Sequence, residues 1–221
     1  MNSSTPTSSI PDLTPRWLAA GSRELQPSAE QADAVTTVRS FAPADDAQRQ
    51  AWEQTLQFCA RHDNALHRAC LEGHLTASAL VIDHAGESAM FLLHAKVQRW
   101  LQPGGHADGD GNLAGVALKE VSEETGLSGL EVWTEPIDID VHLFVNRKSA
   151  EPDHLHHDVR FLVRAGPGSV AATNHESEGF RWVAPVDMSD PSLALDESTL
   201  RLGRHGFALA EKIGVGRSFS C

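Results

Sequence analysis

The feature that most constrains this chain is a helix obliged to carry three glutamates along one edge. Residues 112–125 read as helical because Leu113, Ala114, Ala117, Leu118 and Val121 recur at three- and four-residue spacing, and Gly126 stops the run. Glu120, Glu123 and Glu124 fall within about 100° of arc, roughly a quarter turn from that apolar stripe. Such a helix buries its stripe and aims its carboxylates along the adjoining edge. Like charges three or four residues apart repel by about 0.2–0.5 kcal/mol per pair, and acidic groups late in a helix oppose its macrodipole. A solvated acidic face is the plain alternative, but it offers no return for either cost. A divalent cation would cancel both, and carboxylate oxygens suit Mg²⁺ or Mn²⁺. A Gly/Pro-rich loop, WLQPGGH, precedes the helix at residues 100–106.

Residues 105–127, GHADGDGNLAGVALKEVSEETGL, resemble the Nudix box, G-x5-E-x7-R-E-U-x-E-E-x-G-U with U an aliphatic residue. Gly105, Glu120, Val121, Glu123, Glu124, Gly126 and Leu127 match in register, whereas Gly111 stands where the pattern has its first Glu and Lys119 where it has Arg. In the family those two side chains help to orient the loop and the metal-binding helix. The resemblance implies an α/β fold, a Nudix-like α/β/α sandwich with a mixed sheet. It also implies that Glu120, Glu123, Glu124 and the Gly105 carbonyl ligate Mg²⁺ or Mn²⁺, and that the reaction is hydrolysis of a diphosphate bond. Family members often add a Glu from a loop shortly before a Trp on the last strand, which HESEGFRW at residues 175–182 fits. Glu176 is the first choice for this catalytic role and Glu178 the fallback, with a solvated loop carboxylate as the competing account of either.

The 221 residues, 41% of them hydrophobic, suffice for one core domain with appendages. Residues 1–43, rich in Ser, Thr, Ala and Pro, read as a partly disordered arm. Residues 44–72 read as a helical N-terminal extension: Trp52, Leu56 and Cys59 share one face of a helix over 45–62, and a short second helix is expected over 65–71. The catalytic domain is then 73–221. It opens with a hairpin of strands at 75–83 and 89–93, turning at 83–86. After the acidic helix come strands at 131–133, 137–145, 159–165 and 179–183 and a helix at 197–212. Oligomeric state is left open: Nudix enzymes often pair, and the N-terminal helices offer an interface for a homodimer.

A formal charge of -12 argues against a grip on duplex nucleic acid and ranks RNA ends below small nucleotides, since phosphate backbones are held mainly by Lys and Arg. A metal-bound carboxylate site still accepts a polyanionic small molecule, because the cation supplies the positive charge. Cys59, Cys70 and Cys221 occur singly, which suggests neither a disulfide framework nor a CxxC zinc site and points to a reducing cytoplasm. No apolar run reaches the ~18 residues of a membrane span, and no membrane partner is expected.

His106, Lys119, His157 and Arg160 are the residues expected to meet a small-molecule nucleotide substrate. Arg160 pairs equally well with an Asp. Trp100 borders the glycine loop as a stacking surface or as core, while Trp133 and Trp182 are assigned to packing. The run HLHHD at 154–158 places His154 and His156 on one side of a strand. Zinc is one reading, weakened by the lack of a Cys partner or a second spaced His pair; imidazoles lining the site, or ordinary polar strand residues, are favoured over it. Family signposts for ADP-ribose, dinucleoside polyphosphates or NADH are absent downstream of the box, so the substrate is left open. The departures at Gly111 and Lys119 keep a rival in play, a Nudix-fold module that binds a nucleotide without cleaving it. Retention of three mutually repelling glutamates argues against that rival.

Overall fold

The computed structural model describes residues 14–145, 152–172 and 174–216. In chain order the elements are β1 (Trp17–Ala19), α1 (Gln31–Ser40), α2 (Asp46–Arg61), β2 (Gly73–Ile82), β3 (Ala89–His94), β4 (Arg99–Leu101), β5 (Gly104–His106) and α3 (Leu113–Thr125). They continue as β6 (Glu131–Trp133), β7 (Asp138–Phe144), β8 (His154–Arg164), β9 (Ser177–Val183) and α4 (Glu197–Lys212).

The expected hairpin forms, closed by Asp83 N–H donating to the Ser88 carbonyl at 3.0 Å. Its strands stay paired only at Val81↔Met90 and Ile82↔Ala89 before they diverge. The freed edge of β2 takes β5, and β3 takes β4 and β9, so the Gly104–His106 backbone is built into the sheet rather than left as a loop. On its other side β2 pairs in parallel with β8 from Gly73↔Leu155 to Ile82↔Arg164, and β8 carries β6 and β7 antiparallel. The sheet is therefore mixed, as expected. Every residue of β2 is buried, as for a central strand covered on both faces.

Alternation divides β2 and β8 between two cores. Leu75, Ala77, Ala79, Val81, Val159, Phe161 and Val163 pack with α1, α2 and α3 on one face. Leu80, Ile82 and Leu162 pack with α4 on the other. α4 approaches closely enough that a Cβ at Gly206 would fall against the Leu80 side chain. Beside this second core lies a buried ionic network. Arg160 meets Asp158 at 2.8 Å, Asp138 at 3.1 Å and Asp140 at 3.3 Å; Arg201 on α4 meets Asp138 at 3.0 Å. The Thr76 and Ser78 hydroxyls donate to Asp158, and Gln48 on α2 donates to Asp138. These bonds join both helical layers to the sheet.

Three sequence expectations are revised. Residues 1–13 lie outside the described residues, but residues 14–43, expected to be a partly disordered arm, are ordered. Trp17 pairs with Trp133 across β1 and β6, with their rings 5.6 Å apart edge to face. Trp52 of α2 donates its indole N–H to the Val38 carbonyl of α1 at 2.8 Å, over buried Ala34 and Val38. Small apolar residues suffice here because the contact is between helices already close. Residues 65–71 form successive turns rather than a helix: Ala65 N–H is drawn to the Gln31 side chain and the Ala65 carbonyl accepts from Leu75 N–H, which leaves no i−4 ladder. Finally, β8 starts at His154, earlier than expected, because the parallel pairing to β2 extends that far. Among the described residues no helix is long and apolar enough to cross a membrane.

Candidate active site

α3 begins where the N-terminal segment straps across it. Asn112 caps the helix by accepting from Gly115 N–H at 3.1 Å, and its own amide donates to the carbonyls of Glu24 (2.8 Å) and Gln26 (3.0 Å). Gly111 N–H donates to the Ser28 carbonyl at 2.6 Å, and Ser28 N–H to Asp110 at 2.9 Å. A Cβ at Gly111 would run into the Glu30 carbonyl oxygen. Main chain of the strap thus occupies the space in which a longer side chain at position 111 would stand. The helix ends at Gly126, whose φ of 63° is the left-handed conformation that glycine adopts freely.

The buried stripe of α3, including Leu113, Ala117, Leu118 and Val121, faces the sheet. Glu120 and Glu124 are consequently half-enclosed along the edge, while Glu123 is exposed. β5 closes over them. A Cβ on Gly105 would lie 2.5 Å from the Glu120 carboxyl group and would push that carboxylate aside, and Gly104 N–H donates to Glu124 at 3.2 Å. Glu176 enters from the segment before β9, fixed by its N–H to Asn174 Oδ1 at 2.8 Å and its carbonyl to Ala95 N–H at 2.9 Å. Asn174 in turn donates to the Glu123 carbonyl at 3.3 Å.

Burial first, then the repulsion of Glu120, Glu176 and Glu123, pushes the Glu124 carboxyl up to about 7. Burial likewise raises Glu120, opposed by Lys119 and reinforced by Glu123 and Glu176. Lys119 spans the pair, its Nζ 3.8 Å from Glu120 and 3.9 Å from Glu123, but it is exposed and weakly held. The structure therefore brings Gly105, Lys119, Glu120, Glu123, Glu124 and Glu176 together. A half-buried set of carboxylates fits a hard divalent cation, which would relieve the repulsion.

Three residues expected at the substrate lie elsewhere. His106 follows Gly105 on β5 and so faces the opposite side of the sheet, with its ring centroid 4.9 Å from that of His74 and 5.0 Å from that of His156. His157 faces the α2 layer, stacked on Phe58 at 4.2 Å with Nδ1 3.1 Å from the Thr55 hydroxyl. Arg160 is spent on Asp158, Asp138 and Asp140. Of its two expected partners, a phosphate or an Asp, it has the Asp. Sequence reasoning missed His74, although the polar alternation His74, Thr76, Ser78 within an apolar strand was a signal. Burial, reinforced by neighbouring imidazoles, lowers His74 to about 4 and His156 to about 2.

A family model described as the NUDIX domain matches residues 73–201. Among solved structures, an Ap4A hydrolase binary complex from C. elegans is similar at 16% identity with a TM-score of 0.50, covering 62% of this chain and 98% of that one. A Nudix hydrolase from M. smegmatis, RenU, is similar at 18% identity and TM-score 0.44, over 64% of this chain and 88% of that one. The MutT protein from Methanosarcina mazei Go1 is similar at 19% identity and TM-score 0.41, over 63% and 96%. No curated protein matches the chain. At 16% identity the likeness to the C. elegans protein bears on the fold alone, while the family model spans more than half of the residues and contains the whole acidic helix. The chain thus belongs to the Nudix family, as a Nudix-type hydrolase acting on pyrophosphate bonds.

Proposed function

We propose that the protein is a Mg²⁺- or Mn²⁺-dependent pyrophosphohydrolase of small nucleotides, cleaving a nucleoside diphosphate derivative or a nucleoside triphosphate. The observation that carries this reading is the grouping of Glu120, Glu123, Glu124 and Glu176, with Glu120 against Gly105, Glu124 bonded to the Gly104 N–H, and Lys119 as the nearby cation. Glu120, Glu123, Glu124 and the Gly105 carbonyl hold the cations. Bound divalent ions supply charge neutralisation of the diphosphate and acidify water. Glu176, facing the helix from another segment, is the carboxylate assigned to take the proton from the attacking water. Lys119 steadies Glu120 and Glu123 in the place of the family's arginine.

The test is product formation from a panel of nucleoside triphosphates, nucleotide sugars, dinucleotides and dinucleoside polyphosphates, with and without Mg²⁺ or Mn²⁺. Cleavage of one class only with metal is expected. Glu120→Gln and Glu124→Gln should each lower kcat/KM by about 10²-fold or more with folding intact, as for loss of a group stabilising transition-state charge. Nucleotide binding without turnover across the panel would instead assign a sensing module.

A further inference from the structure

On the face of β5 turned away from the glutamates, side chains from three strands meet. His74 on β2, His106 on β5 and His156 on β8 each offer one ring nitrogen, and these three atoms lie within 4.8 Å of one another. The sheet register produces the meeting: His74 is opposite His156, and His106 is opposite Thr76, the next residue of β2 on the same face. His154, two residues before His156, brings its ring to 4.7 Å from His74.

His74 is 3% exposed, and neither of its ring nitrogens has a hydrogen-bond partner among the described residues. Burying an imidazole with both nitrogens unsatisfied is costly, and among the described residues the rings set against His74 are the imidazoles of His106, His154 and His156. The His154 Nδ1 lies 2.9 Å from the Pro152 carbonyl, a bond in which it can only donate. Its Nε2 is then a bare lone pair, 3.2 Å from Nε2 of His156. Fixing one ring nitrogen by a backbone carbonyl so that the other presents a lone pair is the usual outer support of a metal-bound histidine. With bonds of about 2.0–2.1 Å, two nitrogens on a tetrahedral zinc stand about 3.3 Å apart. The His154–His156 spacing already matches, and the remaining rings need only close inward.

We propose that the protein carries a second metal centre of a different kind from the carboxylate site: one Zn²⁺ held by His74, His106 and His156, with His154 available for the fourth position. An all-imidazole set of neutral nitrogen donors is a poor match for Mg²⁺ and a good one for a borderline transition ion, and a three- or four-histidine set suits zinc among these. His106 is half-exposed and provides the entry path. The ion staples β5 to β2 and β8, and so fixes the Gly104–Gly105 backbone whose other face meets Glu120 and Glu124.

The test uses the full chain stripped of metal and titrated with Zn²⁺ in the presence of millimolar Mg²⁺, with uptake read by a competing chromophoric chelator. One equivalent of zinc per chain is expected, and Zn²⁺ but not Mg²⁺ should raise Tm. His74→Gln and His156→Gln should each weaken uptake by about a hundredfold or more, beyond the loss typical of an outer-shell partner, while Glu120→Gln and Glu124→Gln leave it unchanged. Because the buried histidine variants can fail to fold, zinc-edge X-ray absorption on the wild type supplies a second arm. An imidazole scattering pattern at about 2.0 Å supports the site. A shell of oxygens alone, or tight uptake indifferent to the histidine substitutions and lost with the glutamates, overturns it. This outcome does not depend on turnover, so the centre and the hydrolase reading fail separately.

Discussion

Gly111 and Lys119, the two departures within the box, have different physical accounts. At 119 a lysine keeps a positive charge near Glu120 and Glu123 but, unlike arginine, offers no planar fork for bidentate bonding. At 111 the missing glutamate is matched by main chain of residues 28–30 packed where a side chain would go. Restoring the family residue by Gly111→Glu is therefore expected to destabilise the protein by about 1–3 kcal/mol through overpacking, read as a lower Tm, rather than to improve activity. Glu124 gives a second residue-level prediction. With its folded carboxyl near 7 and its unfolded value near 4.5, the metal-free native state binds the extra proton between those values. Its contribution is thus favourable below about 4.5 and is lost as pH rises toward 7. The stability difference between wild type and Glu124→Gln should fall across that window without divalent ions and flatten when they are added, as measured by denaturant melts at several pH values.

At the scale of elements, the strap over the start of α3 is what distinguishes this acidic helix from a free-standing one. Asn112 serves both partners at once, capping α3 and donating to the carbonyls of Glu24 and Gln26. Asn112→Ala should cost about 1 kcal/mol as a lost cap, with an added increment from the released strap. Hydrogen exchange would show protection lost at Gly111 and Gly115 together; an effect confined to the helix end would mean that the strap is held independently. The strap was not legible in the arm's Ser/Thr/Pro-rich composition, because its grip is strap main chain bonded to Asp110, Gly111 and Asn112, which are distant in sequence.

For the whole molecule, the buried network around Asp138 joins α2, β7, β8 and α4. Asp138 is fully buried, and removing its charge by Asp138→Asn leaves Arg160 and Arg201 under-compensated, a loss of about 3–5 kcal/mol by analogy with broken buried pairs. A global acid response is expected as well. His74 and His157, lowered to about 4, and His156, lowered to about 2, are neutral in the folded chain, whereas the unfolded chain protonates them near 6.5. Their stabilisation is present above about 6.5 and drains away as pH falls toward those folded values. Thermal melts should show Tm falling from pH 7 to pH 5, opposite in sign to the Glu124 contribution.

The acidic helix, its stop at Gly126, most strands and the helix at Glu197–Lys212 were legible in the sequence, because each rests on local periodicity and on turn or cap residues a few positions away. The grouping of Glu120, Glu123 and Glu124 was legible for the same reason: one helix sets their spacing. What only the tertiary structure decided are relations across distant segments. Parallel pairing of β2 with β8 set His74 against His156, alternation turned His106 away from the glutamates, α2 covered His157, and the network around Asp138 enclosed Arg160. Strand register and the face a side chain occupies depend on which strand lies alongside, and a linear pattern holds no record of that neighbour.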